Sequence, residues 1–94
     1  MAVTGKSIKK VTANTDVITG PFYVRSIRWV LFNGAAGDRC IVTDSQDLPV
    51  TEFASNSTQS QDTDYIEEDV SGLKFPTLAA NSVIYVCIGK RRVG

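Results

Sequence analysis

The sequence predicts an all-β fold, a single jelly-roll-like β-sandwich of seven or eight short antiparallel strands, with a small closed β-barrel as the alternative. Two long runs of β-branched and aromatic residues, FYVRSIRWVLF at 22–32 and SVIYVCIG at 82–89, have no helical spacing of apolar positions. Turn residues separate the apolar runs about every 8 to 12 residues, as in small all-β domains. The 94 residues, 43% of them hydrophobic, suffice for one core in one domain spanning 1–94.

The N-terminal third is predicted to lead into the longest strand. Residues 6–12 form a polar first strand or arm, so that 1–12 is a candidate N-terminal arm. A short strand at 16–18 follows, and Gly20-Pro21 is expected to end its pairing because proline has no backbone N–H. The strand at 22–32 is apolar on both faces, so we expect the opposite sheet to cover one face and a partner or loop the other.

The remaining elements alternate between turns and short strands. The sequence NGAAGD at 33–38 predicts a tight hairpin between the strand at 22–32 and the strand at 39–43. A strand at 50–54 precedes residues 55–63, which contain no apolar side chain and are predicted to form an exposed loop. A further strand is expected to end at Pro76, before the final strand at 82–89.

The composition argues against an enzyme. Histidine is absent, which removes the commonest general base and the commonest transition-metal ligand. No catalytic residue, metal site or cofactor is predicted. No apolar run is long enough for a membrane helix, and the first thirty residues lack the pattern of a signal peptide, so we expect no membrane and an intracellular site of assembly.

The two cysteines, Cys40 and Cys87, both fall inside predicted strands. Without a secretion signal, two buried, reduced thiols are the favoured interpretation, and a disulfide between facing strands is the alternative.

Charge is segregated along the chain although ten basic and ten acidic residues cancel. Residues 1–30 carry a net charge of +4, residues 31–69 a net charge of −8, and residues 70–94 a net charge of +4. If the two ends lie together, the molecule has a basic end and an acidic side, which suits head-to-tail or ring-like association. A solvated surface of mixed signs is the alternative.

Two charged segments resemble binding sites. The acidic segment 62–69 lacks the spacing and central glycine of an EF-hand loop, so an acidic solvated turn is favoured over a calcium site. The segment 90–94 is a basic C-terminal tail that contains Lys90, Arg91 and Arg92. Three basic residues at a chain end are a weak signal for nucleic acid, and we expect none to bind.

Two segments carry a family resemblance: GPFYVRSIRWVLFNGAAGDRCIVTD at 20–44 and SGLKFPTLAANSVIYVCI at 71–88. They resemble small all-β proteins encoded among the structural genes of tailed bacteriophages. The shared features are an aromatic strand with a tryptophan, a Gly-Asp turn into a Val/Ile strand that ends in Asp, a Gly-Leu-x-x-Pro-x-Leu stretch and a last strand with a tyrosine. The matching positions are Trp29, Gly37, Asp38, Asp44, Gly72, Leu73, Pro76, Leu78 and Tyr85.

The resemblance implies a virion component assembled in the host cytoplasm, a capsid decoration or cement protein that works as a trimer. Its expected partners are copies of itself and the phage major capsid protein, with both chain ends facing the capsid. Phe22, Tyr23 and Trp29 are the candidates for self-association, and core packing is the favoured role of Trp29. The candidate interface residues are Phe22, Tyr23, Arg25, Arg28, Lys90, Arg91 and Arg92.

A carbohydrate- or receptor-binding module of a phage tail or fibre is the alternative function. In that case the loop at 55–64 and Tyr65 would carry the binding, because jelly rolls commonly hold sugars at their loops.

Overall fold

A computed structural model describes residues 8–89, which form seven antiparallel strands and no helix. The prediction of an all-β, sandwich-like fold is thereby confirmed. Over these residues there is accordingly no helix of the length and hydropathy that a membrane span requires. The strands are β1 (Ile8–Val11), β2 (Val17–Leu31), β3 (Arg39–Thr43), β4 (Pro49–Ala54), β5 (Ser60–Asp64), β6 (Glu68–Leu78) and β7 (Ser82–Gly89).

The strands form one open sheet in the order β1-β7-β2-β6-β3-β4, with β5 paired to β2 outside this path. The long strand β2 organises the sheet. Its first half pairs with β6, and its second half lies between β7 and β5. The sheet therefore does not have the strand closure of the alternative β-barrel.

The sheet folds over its own core. The rings of Trp29 on β2 and Phe53 on β4 stack with centroids 6.1 Å apart, although β6 and β3 separate their strands in the sheet. Burial of each large apolar side chain contributes about 1.5 to 3 kcal/mol, so this shared core is the main source of stability. Trp29 lies in the core, as expected. The largest fully buried side chains are Trp29, Phe75, Ile27, Leu31, Leu73, Ile84, Val11, Val24, Val42, Val86 and Cys40.

The two predicted proline stops are wrong, because both prolines lie at irregularities inside longer strands. Strand β2 runs through Gly20-Pro21, a cis peptide, and its pairing with β6 shifts register between Thr19 and Phe22. Strand β6 runs through Pro76, which lies where the pairing with β3 shifts register. At such a position the missing N–H removes no ladder hydrogen bond.

The predicted exposed loop at 55–63 is only partly a loop. Its second half belongs to β5, which pairs with residues 27–31 of β2. The bonds of this pairing come from the backbone, so a polar sequence does not prevent it.

The segment 33–38 does not form the predicted hairpin, because β6 lies between β2 and β3 in the sheet. The turn is held instead by Asp38, whose Oδ2 accepts a hydrogen bond from the Ala35 N–H at 2.8 Å. Ser55 joins it, since the Ser55 N–H donates to the Asp38 carbonyl at 2.9 Å. Gly37 has the positive φ, 93°, that the glycine-rich sequence predicts.

The two ends of the described chain are adjacent, because Ile8 on β1 pairs with Cys87 on β7. Residues 8–11, which the sequence assigned to an arm or first strand, belong to the sheet as β1. The rest of the predicted arm and the basic tail at 90–94 lie outside the described residues.

Candidate functional site

Strands β1, β7, β2 and β5 form a layer with one face on the core and one face toward solvent. Successive side chains of a strand point to opposite faces. On β7, Ile84 and Val86 are buried in the core, so Tyr85 and Cys87 point outward. We call the solvent side of this layer the outer face; by register it consists of Ile8, Lys10, Ser26, Arg28, Val30, Gln61, Thr63, Val83, Tyr85 and Cys87.

The outer face is partly apolar and carries positive charge. A groove of about 440 Å³ runs across it, lined by residues of all four strands. Ile8 is 50% exposed at one side of the face, and Phe32, just beyond β2, is 53% exposed. The charged side chains that the described strands place on this face are Lys10 and Arg28, and none of residues 8–89 brings a carboxylate into the groove.

The groove side of β2 carries Ser26, Arg28 and Val30, so only one of its three side chains is apolar. The expected burial on both faces is found at the bulge, where the successive residues Tyr23 and Val24 are both buried.

Arg28 is the one described interface candidate that lies on the outer face. It is exposed, and its Nη2 donates to Oε1 of Gln61 on the neighbouring strand β5. This bond ties the guanidinium to the neighbouring strand, and Arg28 lines the groove.

The other described interface candidates lie near the bulge in β2. Arg25 is the extra residue between Val24 and Ser26, and its aliphatic stem covers Gly89. Tyr23 is only 9% exposed, and its hydroxyl donates to Oε1 of Glu67 at 2.7 Å. Phe22 is half-buried and packs against the core. Lys90, Arg91 and Arg92 lie outside the described residues.

A second surface, which we call the acidic cleft, lies between the β3–β4 turn and the start of β6. It is an open cleft of about 450 Å³. Two of its side chains are large and strongly exposed, namely Leu48 at 57% and Tyr65 at 75%. The charged and exposed residues that line it are Asp44, Leu48, Asp64, Tyr65, Glu68 and Asp69.

Two carboxylates of the acidic cleft also build the local structure. Asp44 Oδ1 accepts from the backbone N–H groups of Gln46 at 2.8 Å and Leu48 at 2.9 Å, which shapes the β3–β4 turn. Asp64 Oδ2 accepts from the Thr51 hydroxyl at 2.6 Å, which ties β5 to β4. Between residues 8 and 89, no three His, Cys, Asp or Glu side chains converge as a metal site would require, so the calcium alternative gains no support.

The two cysteines have different surroundings. Cys40 lies in the core, and burial raises the pKa of its thiol to about 12, so it stays protonated and unreactive at neutral pH. Cys87 is half-buried on the outer face, and both thiols are free. The prediction of a buried, apolar role is confirmed for Cys40, whereas Cys87 belongs to the outer face.

The outer face and the acidic cleft lie on opposite sides of β5. Thr63 lines the groove of the outer face, and its neighbour Asp64 lines the acidic cleft. The sequence showed that Val83, Tyr85 and Cys87 share a face but not that Tyr85 and Cys87 line a groove on the solvent side of the sheet. Leu48 was missed because a single apolar residue in a polar turn carries no periodic signal.

Comparisons of the chain with protein-family models, with curated proteins and with solved structures find no match. The two surfaces are therefore the basis for a functional assignment.

Proposed function

We propose that this protein is a non-enzymatic structural component of a tailed-bacteriophage virion, which self-associates and binds the capsid shell as a decoration protein. The observation that carries the proposal is the outer face. A contiguous, partly apolar surface across several strands is typical of a protein interface, whereas scattered single hydrophobic residues are normal on any monomer.

The character of the surface supports a binding role rather than catalysis. Among residues 8–89, three carboxylates that acid–base chemistry could use, Asp44, Asp64 and Glu67, accept hydrogen bonds that shape the fold. The groove of the outer face, on the other side of β5 from Asp44 and Asp64, is lined by apolar, hydroxyl, thiol and guanidinium groups. Such a surface provides contact area and positive charge for a macromolecule.

The adjacent chain ends support attachment to a larger assembly. Because β1 and β7 are neighbours, Ile8, the first described residue, lies opposite Cys87, two residues before the last described one. The sequences that flank these ends, 1–7 and 90–94, carry Lys6, Lys90, Arg91 and Arg92. We assign them to the capsid-facing side. A protein that binds the assembled shell and not its dispersed subunits stabilises the shell by mass action.

Binding to purified expanded capsids of the phage that encodes the chain tests the proposal. The protein should co-sediment with the capsids, raise their disruption temperature and scatter light as a trimer of the 10.2 kDa chain. Replacing Lys90, Arg91 and Arg92 by Ala should weaken capsid binding at least about tenfold, since each lost charge contact weakens attraction to an acidic surface.

The matched control for this test is Arg39→Ala, which removes an exposed cation that pairs with Glu52 away from the chain ends. It should leave capsid binding unchanged. A protein that stays monomeric and does not co-sediment with capsids would overturn the proposal.

A carbohydrate-binding function is the second candidate, and the acidic cleft favours it. Tyr65 presents an exposed ring beside several carboxylates, an arrangement that can stack on a sugar and accept hydrogen bonds from its hydroxyls. Specific hits on a glycan array that Tyr65→Ala abolishes and Phe32→Ala preserves would support this function. An array without hits would exclude it for the glycans tested.

A further inference from the structure

We infer that copies of this protein associate head to tail, with the outer face of one copy against the acidic cleft of the next. This inference rests on the self-association in the proposed function and names the two surfaces that meet. Both surfaces are open to solvent in the single chain, and no residue lines both grooves.

The charges of the two surfaces are complementary. The outer face carries Lys10 and Arg28, and no carboxylate of the described part of the chain lines its groove. The acidic cleft is lined by Asp44, Asp64, Glu68 and Asp69, and no Lys or Arg among residues 8–89 lines it. Two outer faces placed against each other would bring cations together, and two clefts would bring carboxylates together. Unlike surfaces therefore attract where like surfaces repel.

The exposed apolar side chains are divided between the same two surfaces. Among the described residues, five large hydrophobic side chains are exposed. Ile8 and Phe32 lie on or beside the outer face, and Leu48 and Tyr65 line the acidic cleft. The fifth, Val17, lies outside both surfaces. Each surface thus combines an apolar contact with a charge of one sign, as interfaces with a buried core and a polar rim do.

The positions of the two surfaces require a heterologous contact. Thr63 and Asp64 are consecutive on β5 and point to opposite sides, toward the outer face and the acidic cleft respectively. A copy that uses its outer face for one neighbour keeps its acidic cleft free for another. Repetition of such a contact gives a ring where the rotation closes, as in a trimer.

A mixing experiment with two variants tests this arrangement. One variant carries Lys10→Glu and Arg28→Glu on the outer face, and the other carries Tyr65→Ser and Glu68→Lys in the acidic cleft. Each variant alone should be monomeric by analytical ultracentrifugation, with self-association weakened at least about a hundredfold. The first variant places carboxylates against the intact acidic cleft, and the second loses the exposed ring of Tyr65 and places a cation opposite Lys10 and Arg28. Mixed in equal amounts, they should form a 1:1 dimer, since one variant retains an intact cleft and the other an intact outer face.

Controls come from matched residues outside the two surfaces. Lys9→Glu reverses a charge next to Lys10 in sequence but on the opposite face of β1. Val17→Ser removes the exposed hydrophobic side chain that lies outside both surfaces. Both variants should have the oligomeric state of the wild-type protein. Circular dichroism and urea unfolding establish that each variant is folded. If a charge-reversal variant does not fold, the single substitutions Arg28→Ala and Glu68→Ala replace the two variants. The dissociation constant of their mixture is then compared with those of the two variants alone.

The outcomes separate this inference from the proposed function. A wild-type oligomer whose two variants stay monomeric when mixed overturns the head-to-tail contact and leaves capsid binding standing. A monomeric wild type that still binds capsids also overturns it. If the mixed variants form a dimer but the wild-type protein does not bind capsids, the head-to-tail contact is supported and the proposed role as a decoration protein is overturned.

Discussion

Thr43 on β3 and Thr51 on β4 have the same side chain in contrasting surroundings. The Thr43 hydroxyl is buried and has no hydrogen-bond partner among the described residues. The Thr51 hydroxyl donates to Asp64 Oδ2 at 2.6 Å. A buried polar group without a partner loses its hydration and gains nothing in return, whereas a paired one recovers that cost.

Replacing each threonine by the isosteric valine should therefore change the free energy of unfolding in opposite directions. Thr43→Val should raise it by about 1 kcal/mol, and Thr51→Val should lower it by about 1 kcal/mol because Asp64 loses its donor. Urea unfolding at constant m-value measures both changes. A loss of stability in Thr43→Val as large as that in Thr51→Val would show that the Thr43 hydroxyl has a partner in solution.

At this scale the sequence predicts apolar environments better than polar contacts. The burial of Trp29 and Cys40 follows from their positions in runs of β-branched residues. The bond from Tyr23 to Glu67 joins residues 44 apart in the chain. Such a contact depends on which strands become neighbours, and no local pattern encodes that.

At the scale of elements, strands with strong apolar patterns were predicted with the bounds that the structure has. This holds for β3 at Arg39–Thr43 and β7 at Ser82–Gly89. Strand β5 was missed because its sequence SQDTD has no apolar residue, and only the backbone of β2 makes it a strand. Predictions from pattern fail where a neighbouring backbone, rather than the side chains, determines the conformation.

The irregularity in β2 brings two backbones unusually close. A Cβ on Gly20 would lie 2.7 Å from the carbonyl carbon and oxygen of Ser71 on β6, closer than non-bonded atoms approach. Gly37, by contrast, has a positive φ of 93° and open space where its Cβ would be. Gly20 is thus required because another strand leaves no room for a Cβ, and Gly37 is required because its backbone conformation is unfavourable for a residue with a Cβ.

Alanine substitutions should separate these two requirements. Gly20→Ala should lower the free energy of unfolding by about 3 kcal/mol or more, because two paired strands must move apart. Gly37→Ala should lower it by about 1 kcal/mol, the cost of a left-handed conformation for a residue with a Cβ. Thermal and urea unfolding provide both values. Equal losses in the two variants would contradict the close approach of β2 and β6.

At the scale of the whole molecule, part of the charge segregation along the sequence corresponds to a segregation in space among the described residues. The pairing of Ile8 with Cys87 makes the two ends of the described chain neighbours, which is the condition under which the sequence predicts a basic end. The carboxylates of residues 44–69 gather in part at the acidic cleft. The sequence could not reveal that the cleft and the outer face lie on opposite sides of β5, because the pairing of β5 was not predictable.

The net charge of zero makes salt a direct probe of this arrangement. Without net repulsion between copies, added salt mainly screens the attraction between unlike surfaces, and the screening length falls from about 10 Å at 0.1 M to about 3 Å at 1 M. The dissociation constant for self-association should therefore rise at least about tenfold between 0.05 and 0.5 M sodium chloride, as measured by sedimentation velocity.

The dissociation constant should depend less steeply on salt concentration in Arg28→Gln, which removes a charge from the outer face. The control Lys9→Gln, on the other side of β1, should leave this dependence unchanged. A contact held only by apolar side chains would instead strengthen as salt is added, because salts excluded from protein surfaces favour apolar burial. Association that tightens with salt in the wild-type protein would thus contradict the pairing of a basic with an acidic surface, whatever the oligomer size.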